Sequence, residues 1–118
     1  GFRVTARFDN IGGLKAKAPV RIGGVRIGRV VSIDYDNRKL EAVVNMVISK
    51  RYDRLPDDTT ANIYTAGLFG EQYVGLEFGG SDELLKERST IAETQSAFVL
   101  ERMIGKFLLQ GAESGKAK

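Results

Sequence analysis

Two neighbouring glycines near the start of the chain constrain its fold more than any other feature. Gly23 and Gly24 separate a short apolar segment, residues 19–22, from a longer alternating segment that starts at Val25. A two-residue glycine turn adopts positive φ at little cost and connects antiparallel strands. The pattern therefore predicts a tight β-hairpin whose second strand continues to about residue 36.

Alternation of apolar and polar residues recurs along the chain in short segments bounded by glycine or charged turns. It predicts strands at residues 2–8, 19–22, 25–36, 40–48, 59–65, 73–78 and 90–92. The inward-facing parity should carry Val25, Ile27, Val31, Ile33 and Tyr35 in the third strand, and Val74, Leu76 and Phe78 in the sixth. Six or seven short strands, with 14 glycines in 118 residues, favour an all-β, closed or nearly closed barrel without free edges. We assign residues 1–93 to this barrel.

The period of the apolar pattern changes after the barrel. Residues 94–111 are predicted to form one amphipathic α-helix, with Ser96 as a plausible N-cap and Gly111 as a stop, followed by a polar tail at residues 112–118. The apolar stripe of this helix comprises Val99, Leu100, Met103, Ile104, Phe107 and Leu108. Two interpretations remain open, because the stripe can pack on the barrel as a lid or against copies of itself.

A glycine-flanked loop between the fifth and sixth strands carries two large apolar residues, Leu68 and Phe69. Loops run over the surface because a buried loop strands backbone polar groups. Leu68 and Phe69 are therefore predicted either to fold back onto the barrel or to contact an apolar ligand or partner.

The composition argues against most enzyme chemistry. The chain has no cysteine and no histidine, which removes thiolate chemistry, the commonest general base and the commonest metal ligand. Its glycines match no nucleotide-binding loop, and no apolar run approaches the ~20 residues of a membrane span. We expect no catalytic residue, no metal and no cofactor. The mild net charge of +3 leaves one alternative, a small basic barrel that binds single-stranded nucleic acid.

Several segments together resemble a known family. Residues 8–14 (FDNIGGL), 19–25 (PVRIGGV) and 27–30 (IGRV) resemble the opening of an MCE (mammalian cell entry) domain. Residues 67–73 (GLFGEQY) and 96–101 (SAFVLE) resemble later parts of MCE proteins that serve phospholipid transport in Gram-negative bacteria. The similarity extends over nearly the whole chain, although residues 81–89 look shorter than the matching loop of some relatives.

The resemblance implies a seven-stranded barrel that assembles as a homohexameric ring around a hydrophobic pore. It further implies phospholipid as ligand, an ABC permease and ATPase and a soluble periplasmic lipid carrier as partners, and a role in outer-membrane lipid asymmetry. Such rings lie at the periplasmic face of the inner membrane, held by an N-terminal transmembrane helix that this sequence lacks. By the same resemblance, Leu68 and Phe69 would line the pore. The helix residues Leu100, Met103, Ile104, Phe107 and Leu108 would extend the apolar passage. Nucleic acid is then not expected as a partner.

Overall fold

The computed structural model describes residues 1–66 and 70–95, which form eight β-strands and one turn of 3-10 helix at Lys50–Tyr52. The strands are β1 Phe2–Phe8, β2 Pro19–Ile22, β3 Val25–Asp36, β4 Glu41–Ile48, β5 Thr60–Thr65, β6 Gln72–Glu77, β7 Ser89–Ile91 and β8 Glu93–Gln95. The all-β class is confirmed. β8 extends to Gln95, so the barrel continues past the predicted boundary at residue 93, and the remainder of the predicted helix and tail lies outside the described residues.

One kinked segment at the end of the described chain closes the sheet into a nearly complete barrel. The strand order is β7-β1-β4-β3-β2-β6-β5-β8, so β7 and β8 occupy the two edges. β7 pairs in parallel with β1, and β8 pairs in parallel with β5. Only Ala92 lies between β7 and β8, and the Thr94 hydroxyl donates a hydrogen bond to the carbonyl oxygen of Arg7. The predicted barrel therefore gains an eighth strand because its last strand divides at Ala92.

The barrel interior is filled by apolar side chains from alternate strand positions. Phe8, Met46 and Ile48 are among the largest fully buried side chains. Burial of each such side chain contributes about 1.5–3 kcal/mol relative to leaving it in water. Val74 and Leu76 face inward as predicted for the sixth strand. Outside β3, the buried hydrophobic residues of the strands are Val4, Ala6, Phe8, Val20, Ala42, Val44, Met46, Ile48, Ala61, Ile63, Val74, Leu76 and Ile91.

The glycine hairpin is confirmed. β2 and β3 are antiparallel neighbours, and the two residues between them, Gly23 and Gly24, have φ of 57° and 81°. L-residues with a Cβ rarely adopt such values. Glycine is therefore the residue best suited to both positions of the turn.

Three residues of β3 that were predicted to face inward are exposed. Val25, Val31 and Tyr35 are 54%, 51% and 62% exposed, whereas Ile27 and Val30 are buried. The pairing register explains Val31, because β2 skips Ile27 and β4 skips Val31, and the faces of the strand are reversed between these two β-bulges. Val25 and Tyr35 lie outside that segment, near the two ends of β3.

The inward position predicted for Phe78 is also wrong, since its side chain is 59% exposed. β6 ends at Glu77, so Phe78 lies outside the ladder. The turn after Phe78 is attached to the loop before β5, because the backbone N–H groups of Gly80 and Ser81 donate to the Asp58 carboxylate at 2.8 and 3.0 Å. The chain thus leaves the barrel before Phe78 can point into it.

Strand directions define two ends of the barrel. β1, β3, β5, β7 and β8 run one way, and β2, β4 and β6 run the other. One end, here called the upper pole, therefore carries residues 9–18, residues 37–40 and the two ends of the 66–71 loop, residues 66 and 70–71, and β8 runs toward it. The opposite end, the lower pole, carries Gly1, the Gly23-Gly24 turn, residues 49–59 and residues 78–88.

Candidate functional site

The hairpin formed by β5 and β6 fixes the base of the apolar loop at the upper pole. Its ladder extends to the pair Thr65 and Gln72. Beyond that pair, the backbone N–H of Ala66 donates to the carbonyl oxygen of Glu71 at 3.1 Å. The loop residues with the predicted pore role, Leu68 and Phe69, lie outside the described residues. Their point of attachment is nevertheless a regular antiparallel hairpin.

Gly70 is required where the loop returns to the hairpin. A Cβ built on Gly70 would lie 1.2 Å from the carbonyl oxygen of Ala66 and 2.3 Å from its carbonyl carbon. Both atoms belong to the backbone, so no side-chain rotation relieves the clash. This close approach explains why the loop ends in glycine before Glu71.

Gln72 joins the apolar loop to a second loop of the upper pole. Its side-chain oxygen accepts a hydrogen bond from the backbone N–H of Gly13, and its amide nitrogen donates to the Thr65 hydroxyl at 3.3 Å. The Asn10 side chain in turn accepts from the N–H of Gly12 at 2.7 Å. The sequence contained Gln72 within the resembling segment but offered no signal of this linking role, because the contact spans 59 residues.

The turn between β3 and β4 supplies a local charge centre at the same pole. The pKa of the Asp36 carboxyl lies below its ordinary value because the backbone N–H of Lys39, the guanidinium of Arg7 and the backbone N–H of Arg38 all donate to it. Arg7 approaches Asp36 at 2.9 Å and Glu41 at 3.8 Å. These groups tie β1 to the β3–β4 turn, so their role is structural.

An aromatic surface lies on the outer face of the hairpin, below the loop. The rings of Tyr64 and Tyr73 are 5.7 Å apart between centroids, and the guanidinium of Arg21 lies 4.8 Å from the centre of the Tyr73 ring. The Tyr64 hydroxyl donates to Glu77 at 3.0 Å. The pKa of Tyr64 is raised, first by partial desolvation and further by Glu77. A Cβ at Gly75 would lie 2.4 Å from the Tyr64 ring, so this ring packs over bare backbone.

The predicted helix stripe, Val99, Leu100, Met103, Ile104, Phe107 and Leu108, lies outside the described residues. The described chain ends its last strand, β8, at Gln95. β8 runs parallel to β5, and Gln95 pairs with Asn62 in the middle of that strand. The last described residues therefore run toward the upper pole, where the β5–β6 hairpin ends.

Within residues 1–66 and 70–95, no group of three or more acidic, histidine or cysteine side chains is placed to hold a metal ion. No helix in that part of the chain is long and apolar enough to cross a membrane.

The fold and the upper pole together define a class of protein. A nearly closed β-barrel that carries the glycine-rich segments described above has the architecture and the sequence pattern of an MCE-type domain.

Comparisons with known proteins identify the family. Residues 1–79 match the family model described as MlaD protein. The chain is 46% identical over 116 residues to the intermembrane phospholipid transport system binding protein MlaD of Haemophilus influenzae, covering 96% of this chain and 70% of that protein. It is 46% identical over 112 residues to the protein of the same name from Escherichia coli, covering 91% of this chain and 61% of the relative. The chain belongs to the MlaD family, and the resemblance to MCE domains is confirmed.

A solved structure supports the same assignment. The fold superimposes with a TM-score of 0.80 on a chain of the Acinetobacter MlaFEDB complex in its ATP-bound Vtrans1 conformation, at 27% sequence identity. The match covers 90% of this chain and 80% of that one. The barrel is thus shared in sequence and in three dimensions.

Proposed function

We propose that this chain is the phospholipid-binding subunit of an ABC transport system that moves phospholipid across the bacterial envelope, and that it is not an enzyme. One observation carries the proposal: a rigid hairpin at the upper pole, held by Ala66, Gln72 and the bare backbone at Gly70, presents the loop of Leu68 and Phe69. The relatives named above are binding proteins of an intermembrane phospholipid transport system, which gives an acyl chain as the natural contact of such a loop.

We propose further that six copies form a ring whose axis is lined by this loop. Two large apolar residues at an exposed tip favour aggregation in a monomer, whereas rotational symmetry converts them into a continuous apolar lining. The predicted helix stripe, which follows β8 where the chain runs toward the same pole, would lengthen that lining. The apolar side chains that line the axis would then contact acyl chains rather than water.

The proposed location is the periplasmic face of the inner membrane, with a membrane helix ahead of Gly1. Gly1 and the 66–71 loop lie at opposite poles of the barrel. A chain anchored through Gly1 would therefore direct its apolar loop away from the membrane, toward a soluble lipid carrier. The permease and ATPase partners are proposed from the MlaFEDB complex that contains the structural relative. In this arrangement the subunit supports outer-membrane lipid asymmetry.

The first test is the mass of the chain in solution. Light scattering should give six times the 12.9 kDa of one chain, and a monomer that persists at high protein concentration would refute the ring.

The second test replaces the loop tip by Leu68→Asn together with Phe69→Asn. Mass spectrometry of organic extracts should find less phospholipid in this variant, while light scattering finds the ring intact. The matched control is Val25→Asn with Phe78→Asn, an exposed aliphatic and aromatic pair at the lower pole, which should retain its lipid. Equal lipid content in both variants would contradict the role of the loop.

A further inference from the structure

A basic groove lies on the lower part of the barrel, where β3 begins and β4 ends. Its volume is about 400 Å³, and the lining residues that matter here are Arg26, Gly28, Arg29, Val47, Ser49 and Arg51. The groove is separate from the upper pole and is not explained by the lipid-binding loop. None of the described residues that line it carries a carboxylate.

Within the described part of the chain, the three arginines of the groove have no ion-pair partner. Among residues 1–66 and 70–95, the ion pairs involve Arg7 with Asp36 and Glu41, both remote from the groove. The side chains of Arg26, Arg29 and Arg51 are exposed, and the guanidinium of Arg51 lies 5.7 Å from the centre of the Tyr52 ring. Three positive groups around one depression raise the local concentration of anions. A planar guanidinium matches the oxygens of a phosphate particularly well.

A β-bulge brings two of these arginines together. Residues three apart on a regular strand, such as Arg26 and Arg29, point to opposite faces. Here the β2 register skips Ile27, which is buried, and both arginines line the same groove. The extra residue thus places Arg26 and Arg29 on the same face of β3, whereas a regular strand would place them on opposite faces.

Bare backbone keeps the floor of the groove open. A Cβ at Gly28 would lie 2.2 Å from the carbonyl oxygen of Val47, so β3 and β4 approach closely only because position 28 has no side chain. Ser49, at the end of this floor, donates its backbone N–H to the carbonyl oxygen of Ile27 at 2.8 Å. The arginines therefore surround a surface of closely paired strand backbone.

The groove adjoins the start of the chain. A Cβ built on Gly1 would lie 3.2 Å from the side chain of Val47, and Phe2 pairs with Ile48. If a membrane helix precedes Gly1, as in the function proposed above, on which this step rests, the groove lies close to the bilayer surface. Phosphate groups of lipid headgroups are the anions concentrated there.

We propose that Arg26, Arg29 and Arg51 bind the phosphate of an anionic phospholipid headgroup at the membrane surface. This contact would hold the lower pole against the bilayer while the upper pole handles acyl chains. The lower pole would then recognise the charge of a lipid headgroup, and the upper pole would recognise the apolar acyl chains.

The test measures binding of the 118-residue chain to vesicles by flotation. The altered chain carries Arg26→Gln, Arg29→Gln and Arg51→Gln. The matched control carries Lys15→Gln, Arg38→Gln and Lys39→Gln, which removes the same charge from exposed positions at the upper pole. Each basic residue near an anionic surface raises binding roughly fivefold, so the groove variant should lose on the order of 100-fold on phosphatidylglycerol vesicles. The control should bind much like the unmodified chain, and phosphatidylcholine vesicles should bind all three weakly.

Three results would overturn the proposal. Equal losses in the groove variant and in the control would show that only net charge matters. Complete displacement of the vesicles by millimolar inorganic phosphate would assign the groove to a free anion. Tighter binding to a single-stranded oligonucleotide than to the vesicles, again lost in the groove variant, would assign it to nucleic acid.

The failure of this proposal can be separated from failure of the proposed function. Oligomeric mass and extracted phospholipid report on the upper pole, and neither should change in the groove variant. A monomer without lipid would refute the ring and the apolar loop even if flotation succeeded. A lipid-filled ring that ignores anionic vesicles would refute the groove alone.

Discussion

The substitution Gly70→Ala adds only one methyl group, yet it should disrupt the base of the apolar loop. The added methyl carbon would lie 1.2 Å from the carbonyl oxygen of Ala66, where ordinary contact begins at 3.4 Å. The base of the hairpin must therefore open by roughly 2 Å, since both atoms are fixed to backbone. Gly80→Ala is the matched control, because a Cβ at Gly80 meets no atom within 4 Å.

The expected magnitude follows from what the opening removes. The hydrogen bond from Ala66 to Glu71 contributes about 0.5–1.5 kcal/mol. Residual crowding adds about 1–3 kcal/mol, so the free energy of unfolding should fall by roughly 2–4 kcal/mol in total. Gly80→Ala should instead be neutral or stabilise the protein by up to about 1 kcal/mol, because it restricts the unfolded chain.

Urea denaturation at equal protomer concentration measures the difference. With a slope of about 2 kcal/mol per molar urea, Gly70→Ala should lower the midpoint by roughly 1–2 M. The same samples should lose extracted phospholipid if the loop binds it. An unchanged midpoint and unchanged lipid content in Gly70→Ala would refute the account of the loop base.

Three further changes test the barrel and its upper pole. Phe8→Ala should lower the free energy of unfolding by about 3–5 kcal/mol because the residue is 1% exposed. Tyr35→Ala should change it by less than about 0.5 kcal/mol because Tyr35 is exposed. Urea midpoints compare the two variants, and similar losses would contradict the exposed position of Tyr35. Folding lowers the pKa of Asp36 from its ordinary value of 3.8. The carboxylate therefore stabilises the fold at pH values above the unfolded pKa, and this stabilisation is lost as the pH falls through the folded pKa. Asp36→Asn should flatten the decline in stability below about pH 4, and an unaltered acid profile would count against the ion pair. Gln72→Ala should leave the N–H of Gly13 without its acceptor and speed its hydrogen exchange, and unchanged exchange would show that the two loops are not joined.

Much of the barrel could be predicted because regular strands carry their pattern locally. The alternation in residues 2–8 and 40–48 correctly predicted two strands, β1 and β4, and the parity of the sixth strand correctly placed Val74 and Leu76 inside. The positive φ required between β2 and β3 marked the hairpin, since glycine adopts it freely. The segments that resemble MCE domains likewise lie in the sequence itself, and the family matches confirm them.

Contacts between distant parts of the chain decided the rest. The bulges at Ile27 and Val31 exist only in the register of β3 against β2 and β4, so no local pattern could show that Val31 turns outward or that Arg26 and Arg29 share a groove. The closing kink at Ala92 depends on β1 and β5 lying on either side of it. Sequence periodicity reports the faces of a regular strand, but it carries no information about where partner strands insert a residue, bend or close. For that reason the apolar loop could be recognised from the sequence. The hydrogen-bonded base of that loop, its place at the upper pole and the basic groove at the lower pole required the tertiary structure.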